Sequence, residues 1–319
     1  MIYKLVKDID DHLNSAIPEV LWHYTSMQGF IGIIETKRVW ATDIRHLNDR
    51  KEFEHGKDLI RAQIDSLRIE PDDELGTQKL LIDILERDLD KGFFNTPNEE
   101  IYVSSFSAKG DQLSQWRGYT PSGQGLSLGF DLSGMRPPPG SGLFSTIAPC
   151  IYTDDAKHRI IRAAMASVRD AARLWQKRVD ELYRETLLKG LECDHEKLPW
   201  EIRQPFHDAA ICMGLGLKKM LILFKDESFS EETEWRFFGV RPADARPEGF
   251  RRFLRVSGSR MIPTVDPLIA GAGIFPLREV VVGPCPEQAL QVEAVRKFLN
   301  WNGLDHVVVR TSKIPYRSW

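Results

Sequence analysis

Cysteine is scarce and unpatterned in this chain. Only four occur in 319 residues, at positions 150, 193, 212 and 285, with no CxxC pair among them. A disulfide framework or a structural zinc knuckle needs closer, paired spacing, so neither is expected, and free thiols in a reducing compartment are. Long apolar runs are also missing. Nothing reaches the roughly 20 residues that a membrane-spanning helix requires. Lys4, Lys7, Asp8 and Asp10 break up the N-terminal stretch, so no secretory signal is read there, and the cytoplasm is the expected compartment. Neither sign of charge dominates. Lys plus Arg number 43 and Asp plus Glu 46, a net charge of −3. Such a balance gives no global attraction to nucleic acid or membrane, and any polyanion site must be a local patch. Four motifs are absent: GxxxxGK[ST], GxGxxG after a strand, HExxH and GxSxG. Kinase, dinucleotide dehydrogenase, zincin and α/β-hydrolase chemistries thereby lose their main support. No metal is expected, and no internal repeat or low-complexity segment is visible.

What is present is an ordinary globular composition, 42% hydrophobic and 28% charged. The length suits one elaborated domain over residues 1–319 or two closely packed units, and the single domain is the expectation. Strand-like segments are predicted at Leu21–Tyr24, Val39–Thr42, Glu100–Ser107, Gly123–Phe130, Thr146–Tyr152, Trp235–Val240, Phe250–Val256, Val280–Val282 and His306–Arg310. Helical periodicity runs through Glu52–Leu67, Leu75–Leu89 and Glu287–Leu299. Ser26 is placed to cap a helix carrying Phe30, Ile33 and Ile34 on one face. Leu113–Tyr119 reads as a helical turn capped by Asp111 or Ser114, Asp43–Asp49 as a polar loop, and Pro137–Gly140 as a surface loop. Ala156–Leu188 and Trp200–Phe224 read as long helices, so 156–224 is predicted to be a helical insertion or cap within an α+β fold.

Four constellations carry chemistry. His23 stands near the end of a buried strand, just before a capped helix, where an imidazole can donate to a ligand hydroxyl. Ser105 and Ser107 alternate onto one strand face, and Trp116 and Tyr119 lie three apart on one helical face, able to stack on a flat ring or to fill a core. Glu232 and Glu234, two apart, point the same way on an extended backbone, and paired carboxylates serve acid, base or cation-stabilising roles. Arg236 continues that alternation and can neutralise one of them. The fourth is positive. Six arginines between Arg241 and Arg260 face only Asp244 and Glu248, and Arg162, Arg169, Arg173 and Lys177 recur at helical spacing. Either set suits phosphates of a cofactor or an RNA, or is a solvated face.

The ordered segments HYTS (23–26), LND (47–49), SSFS (104–107), LSQWRGY (113–119), GLSLGFD (125–131), EETEWR (231–236) and VVGP (281–284) resemble a bacterial family of unknown function, domain-of-unknown-function family 2971, over about Leu21 to Arg317. The order of a strand-end His, a Ser-x-Ser strand and a Glu-x-Glu is also similar to that of the ADP-ribosyltransferases. Within that resemblance LWHYT looks like the opening strand of the His-Tyr-Glu branch, whereas SSFS stands where the Arg-Ser-Glu branch has Ser-Thr-Ser. The resemblance implies a split antiparallel or mixed β-sheet core with helical insertions, NAD as substrate, and transfer of ADP-ribose to a nucleic acid or protein. It implies that Glu234 stabilises the oxocarbenium-like centre and that Glu232 accepts the acceptor's proton. His23 would hold the adenosine ribose, the Tyr24 backbone would contact the nicotinamide amide, Thr25 would help bind the cofactor, and Trp116 or Tyr119 would stack on nicotinamide. Ser105 and Ser107 would orient Glu234, and Arg236 would pair with a carboxylate or phosphate. A toxin or anti-phage effector, with an antitoxin or chaperone partner, fits such an activity. The alternatives are an NAD glycohydrolase, RNA phosphotransferase or nuclease on the same scaffold, or a non-catalytic nucleotide-binding sensor.

Overall fold

Strand alternation around residues 21 and 101 and helical periodicity after residue 50 set the elements of this α+β chain. The computed structural model describes residues 7–47, 50–68, 82, 83, 86, 99–120, 124–134, 146–166, 170, 177, 214, 216–242, 251–257, 259–265 and 275–315. The chain divides into two compact units, one built from Met1–Asn14, Asp49–Pro97 and Ile151–Glu227, the other from Ser15–Asn48, Asn98–Cys150 and Ser228–Trp319.

The first unit holds helix α1 (Lys7–Leu13), the long helix α3 (Arg50–Arg68), and helical residues 154–166 and 216–223. Ile60 and Ile64 are buried, as are Ile160, Ile161, Leu217 and Met220. Gly56 marks a close approach, since a Cβ there would lie 2.6 Å from Leu221 Cδ2. The predicted helices Ala156–Leu188 and Trp200–Phe224 are seen only in part, and most of Leu75–Leu89 and all of Pro137–Gly140 lie outside the described residues.

The second unit is a ten-stranded sheet. Its strands are β1 (Leu21–Thr25), β2 (Ala41–Asp43), β3 (Glu99–Ser107), β4 (Leu126–Phe130), β5 (Thr146–Pro149), β6 (Glu234–Pro242), β7 (Arg252–Ser257), β8 (Arg260–Val265), β9 (Leu277–Val282) and β10 (Val308–Thr311). Helices α2 (Met27–Thr36), α4 (Leu113–Tyr119) and α5 (Gln288–Trp301) accompany them. All strand pairs are antiparallel except β9 with β10.

The sheet forks at β3. Strand β6 pairs with β3 along its whole length, Glu99↔Pro242 to Ser107↔Glu234. That occupies one edge, so β1 and β2 share the other, β1 at Trp22↔Ser107 and β2 at Thr42↔Val103 and Asp43↔Tyr102. From the fork one arm runs β1–β4–β9–β10 and the other β2–β8–β7.

The pleat then separates two faces. One carries Leu21, Phe106, Leu128, Phe130, Trp235, Phe237 and Val280, packed with Phe30, Ile33 and Ile34 of α2 and Val292, Val295 and Leu299 of α5. Ser26 caps α2 as expected, its Oγ accepting from Gly29 N at 3.1 Å. Each of those fully buried apolar side chains contributes about 1.5–3 kcal/mol. The other face carries Trp22, Tyr24 and Val281, which pack with Trp116 of α4. Asp111 does not cap α4. It accepts from Trp116 Nε1 at 2.8 Å, from Ser312 Oγ at 2.5 Å and from Lys313 N at 2.7 Å, tying α4 to the segment after β10. The polar stretch after Asp43 forms a 3-10 helix, Ile44–His46. Among the described residues no helix is long and apolar enough to cross a membrane.

Candidate active site

The start of β6 gathers side chains from three distant segments. Residues Glu227–Glu232 wind as a 3-10 helix, and β6 begins at Glu234. Between them Thr233 takes a φ of 42°. A β-branched residue in the left-handed region is strained by about 1–3 kcal/mol, and such strain persists only where neighbours hold it. They do so here. Ala108 N donates to Thr233 O at 3.0 Å, Thr233 N donates to Ser230 O at 3.2 Å, and Ser107 Oγ donates to Glu232 O at 2.7 Å. Glu232 and Glu234 are therefore not two residues of one extended run, as their spacing suggests. They flank a left-handed hinge.

The two carboxylates are held differently. Glu232 is buried and accepts from Tyr119 Oη at 3.2 and 3.1 Å, while Tyr119 itself is 44% exposed. Glu234 is buried and paired with the buried Arg236, Nε to Oε1 at 2.9 Å and Nη2 to Oε2 at 3.4 Å. The two stand at alternate positions of β6, so the strand's own pleat brings them together, as the sequence predicts. Removing either partner of such a pair leaves an uncompensated buried charge.

Three expectations are corrected. Trp116 is fully buried and meets the Tyr24 ring edge-on at 4.8 Å, so it is core and offers no surface for stacking on a ligand. Only Tyr119 of the expected pair is open. Ser107 supports the Glu232 backbone rather than the Glu234 carboxylate. Ser105 lies on the same face, opposite Arg236 in register.

The third correction concerns His23. Trp22 pairs with Ser107, and Ser107 with Glu234, so these three share a face. His23, next to Trp22, leaves the sheet on the other face, where its ring meets Phe106 at 5.7 Å. Its Nδ1–H donates to Ser105 O at 3.0 Å. The fork explains this bond. Ser105 lies on β3 between the β1 and β2 ladders, where among the described residues no strand partner covers that edge, and the imidazole satisfies its carbonyl. Burial lowers the His23 pKa from its ordinary value of 6.5, partly offset by that hydrogen bond. The neutral ring then carries its lone pair on Nε2, so His23 accepts from a hydroxyl and does not donate to one.

Tyr24 is also structural in its side chain. Its hydroxyl donates to Lys109 O at 2.8 Å and accepts from Gln112 N at 3.1 Å, and burial raises its pKa. Thr25 is partly buried at the end of β1. Of the predicted basic segment, Arg251, Arg252, Arg255 and Arg260 stand on or beside the β7–β8 hairpin, and Arg246 lies outside the described residues. Arg169 and Arg173 also lie outside them, as do Cys193 and Cys212, while neither Cys150 nor Cys285 forms a disulfide among the described residues. The Thr233 hinge escaped the sequence reading because nothing in Glu-Thr-Glu signals a left-handed backbone.

No curated protein and no solved structure matches the chain. A family model does, over residues 115–237, a shorter span than the motif resemblance suggests. That stretch includes Trp116, Tyr119, Glu232, Glu234 and Arg236, and over it the chain is similar to the family described as Protein of unknown function (DUF2971).

Proposed function

We propose that this chain is an NAD-consuming ADP-ribosyltransferase whose bond-breaking groups are the carboxylates on either side of Thr233. The observation that carries the reading is the convergence of Ser107, Tyr119, Glu232, Glu234 and Arg236 around a backbone hinge held at positive φ. Strain of this kind is stored where geometry matters more than stability. In the reaction the bond between nicotinamide nitrogen and ribose C1′ breaks, and its electron pair leaves with nicotinamide. Positive charge develops on C1′ and the ring oxygen. Glu234, its orientation set by Arg236, stabilises that charge through the neighbouring ribose hydroxyl, an interaction stronger in the transition state than in the ground state. Glu232, held by the exposed Tyr119, takes the proton of the acceptor as it attacks C1′. Tyr119 lies along the nicotinamide, its hydroxyl holding Glu232. His23 has no bond-breaking role in this scheme, because the sheet lies between its side chain and the carboxylates.

Incubation with NAD labelled in the adenylate portion, in total cell lysate, tests the reading. Label should enter macromolecules, and separate nuclease and protease digestion should identify which. Release of nicotinamide without transfer would make the protein a glycohydrolase. With neither release nor transfer, the proposal is wrong.

A further inference from the structure

The far arm of the fork carries a second set of groups that the reaction above does not use. Alternation along β7 and β8 sends Phe253, Arg255, Ile262 and Thr264 to one face. Trp40 immediately precedes β2, and the Ala41↔Val265 pairing brings it beside this hairpin. There its indole meets the Phe253 ring edge-on at 5.2 Å, with an interplanar angle of 69°. The Arg251 guanidinium stands 5.0 Å from the same ring. Arg255 Nη2 donates to Thr42 Oγ1 at 3.3 Å.

Arg255 is the informative member. It is partly buried, burial lowers its pKa, and no carboxylate pairs with it among the described residues. A desolvated guanidinium without a counter-ion is costly, and an arriving anion removes that cost. Arg260, at the turn end of β8, is exposed and adds charge. Trp40 remains 42% exposed, leaving a flat ring open beside the arginines. An acidic peptide would match the arginines and leave the rings unused, whereas a nucleic-acid strand uses both, phosphates on guanidinium and bases on rings.

We infer that Trp40, Phe253, Arg251, Arg255 and Arg260 form a platform for single-stranded nucleic acid, the acceptor of the transfer proposed above. Its role as acceptor rests on that proposal, and its binding does not. The placement suits an acceptor. Thr42 pairs with Val103, and Val103 shares a face with Ser105 and Ser107, which lie opposite Arg236 and Glu234. The platform and the carboxylates thus leave the same face of the sheet, roughly 10–15 Å apart at Trp40 and roughly 25–30 Å apart at Arg255 and Arg260 by strand spacing and rise.

The test is fluorescence anisotropy on the full chain with fluorescein-labelled 12-nucleotide RNA and DNA of mixed sequence. Both single strands should bind saturably at 50 mM salt and more weakly at 200 mM. Arg255→Gln with Arg260→Gln should weaken binding about tenfold or more and flatten the salt dependence. Trp40→Ala should weaken it about tenfold with little change in that slope. Arg255→Lys keeps the charge and serves as the folding control, and melting curves accompany every variant. Glu234→Gln should bind like wild type, and Arg255→Gln should still release nicotinamide from NAD. Absence of oligonucleotide binding overturns the inference. So does equal binding of a duplex with no Trp40 effect, or the same Arg255 and Trp40 dependence appearing only with polyglutamate or phosphatidylserine vesicles. Nicotinamide release without oligonucleotide binding would sink the platform alone, and binding without any NAD turnover would sink the transferase reading alone.

Discussion

Glu234 and Glu232 occupy different environments, so their amides should fail differently. Glu234→Gln removes the charge proposed to stabilise C1′, and NAD turnover should fall by ~10²–10³. It also leaves the buried Arg236 without a full counter-charge, so the melting temperature should drop measurably. Glu232→Gln still accepts from Tyr119, so stability should change by less than about 1 kcal/mol while transfer to the acceptor falls. Turnover of both is to be measured at a temperature where circular dichroism shows them folded. Thr233→Gly relaxes the hinge. Stability should rise or hold, with a gain of up to about 1 kcal/mol, while turnover falls because the carboxylates lose their fixed separation. A variant that kept full turnover would show that the strained backbone serves packing only. For His23 the sign follows from its lowered pKa. The unfolded chain takes up the proton first, so the stability associated with the neutral ring is complete above about 6.5 and is lost as pH falls below it. Wild type should therefore lose melting temperature below pH 6.5 more steeply than His23→Gln. His23→Ala should cost about 1–3 kcal/mol at pH 8 by orphaning the Ser105 carbonyl. A loss of NAD affinity in His23→Ala without a change in melting temperature would restore the ligand role.

At the level of elements, the strand ends and the turns between them decide what meets at the site. Gly125 immediately precedes β4, where a Cβ would come within 2.5 Å of Thr25 O and of Thr120 Cγ2. Gly125 O also accepts from Gly283 N at 2.9 Å. Backbone cannot yield as a side chain tip does, so Gly125→Ala should destabilise by about 1–3 kcal/mol and displace Tyr119. Thermal melts and NAD turnover check both. Most elements were legible from local pattern, β3 within one residue of expectation and α5 nearly so. Strand β8 was not, because Pro263 argues against a strand. Here it pairs with Leu254 of β7 at a position where the ladder to β2 has ended, so the missing N–H leaves that ladder intact.

For the molecule as a whole, β3 is the strand on which the second unit depends. It is the only one among the described strands with three partners, β1, β2 and β6. Two of its three partners come from before residue 44 and one from after residue 233, so the sheet closes only when most of the chain has been made. A chain ending at residue 227 lacks β6 to β10 and leaves one whole edge of β3 open. Such a truncation should show little near-ultraviolet dichroism and should aggregate. A sharp, cooperative melt would contradict the dependence on β6.

The sequence by itself determined the α+β class, the strand carrying Ser105 and Ser107, the capped helix after His23, and the alternation that lets Arg236 neutralise one of the two carboxylates. Each depends on residues close in the chain, where backbone periodicity dictates which way a side chain points. Tertiary structure decided the rest. Whether Trp116 is ligand platform or core depends on what packs over it, and Tyr24 and Val281 do. Which face His23 takes relative to Glu234 depends on the register of β1 and β6 against β3, which no single strand encodes. The left-handed turn at Thr233 exists because Ser107 and Ala108, more than 120 positions earlier, hold its backbone. Contacts across that separation come from the whole fold, and local pattern carries no trace of them.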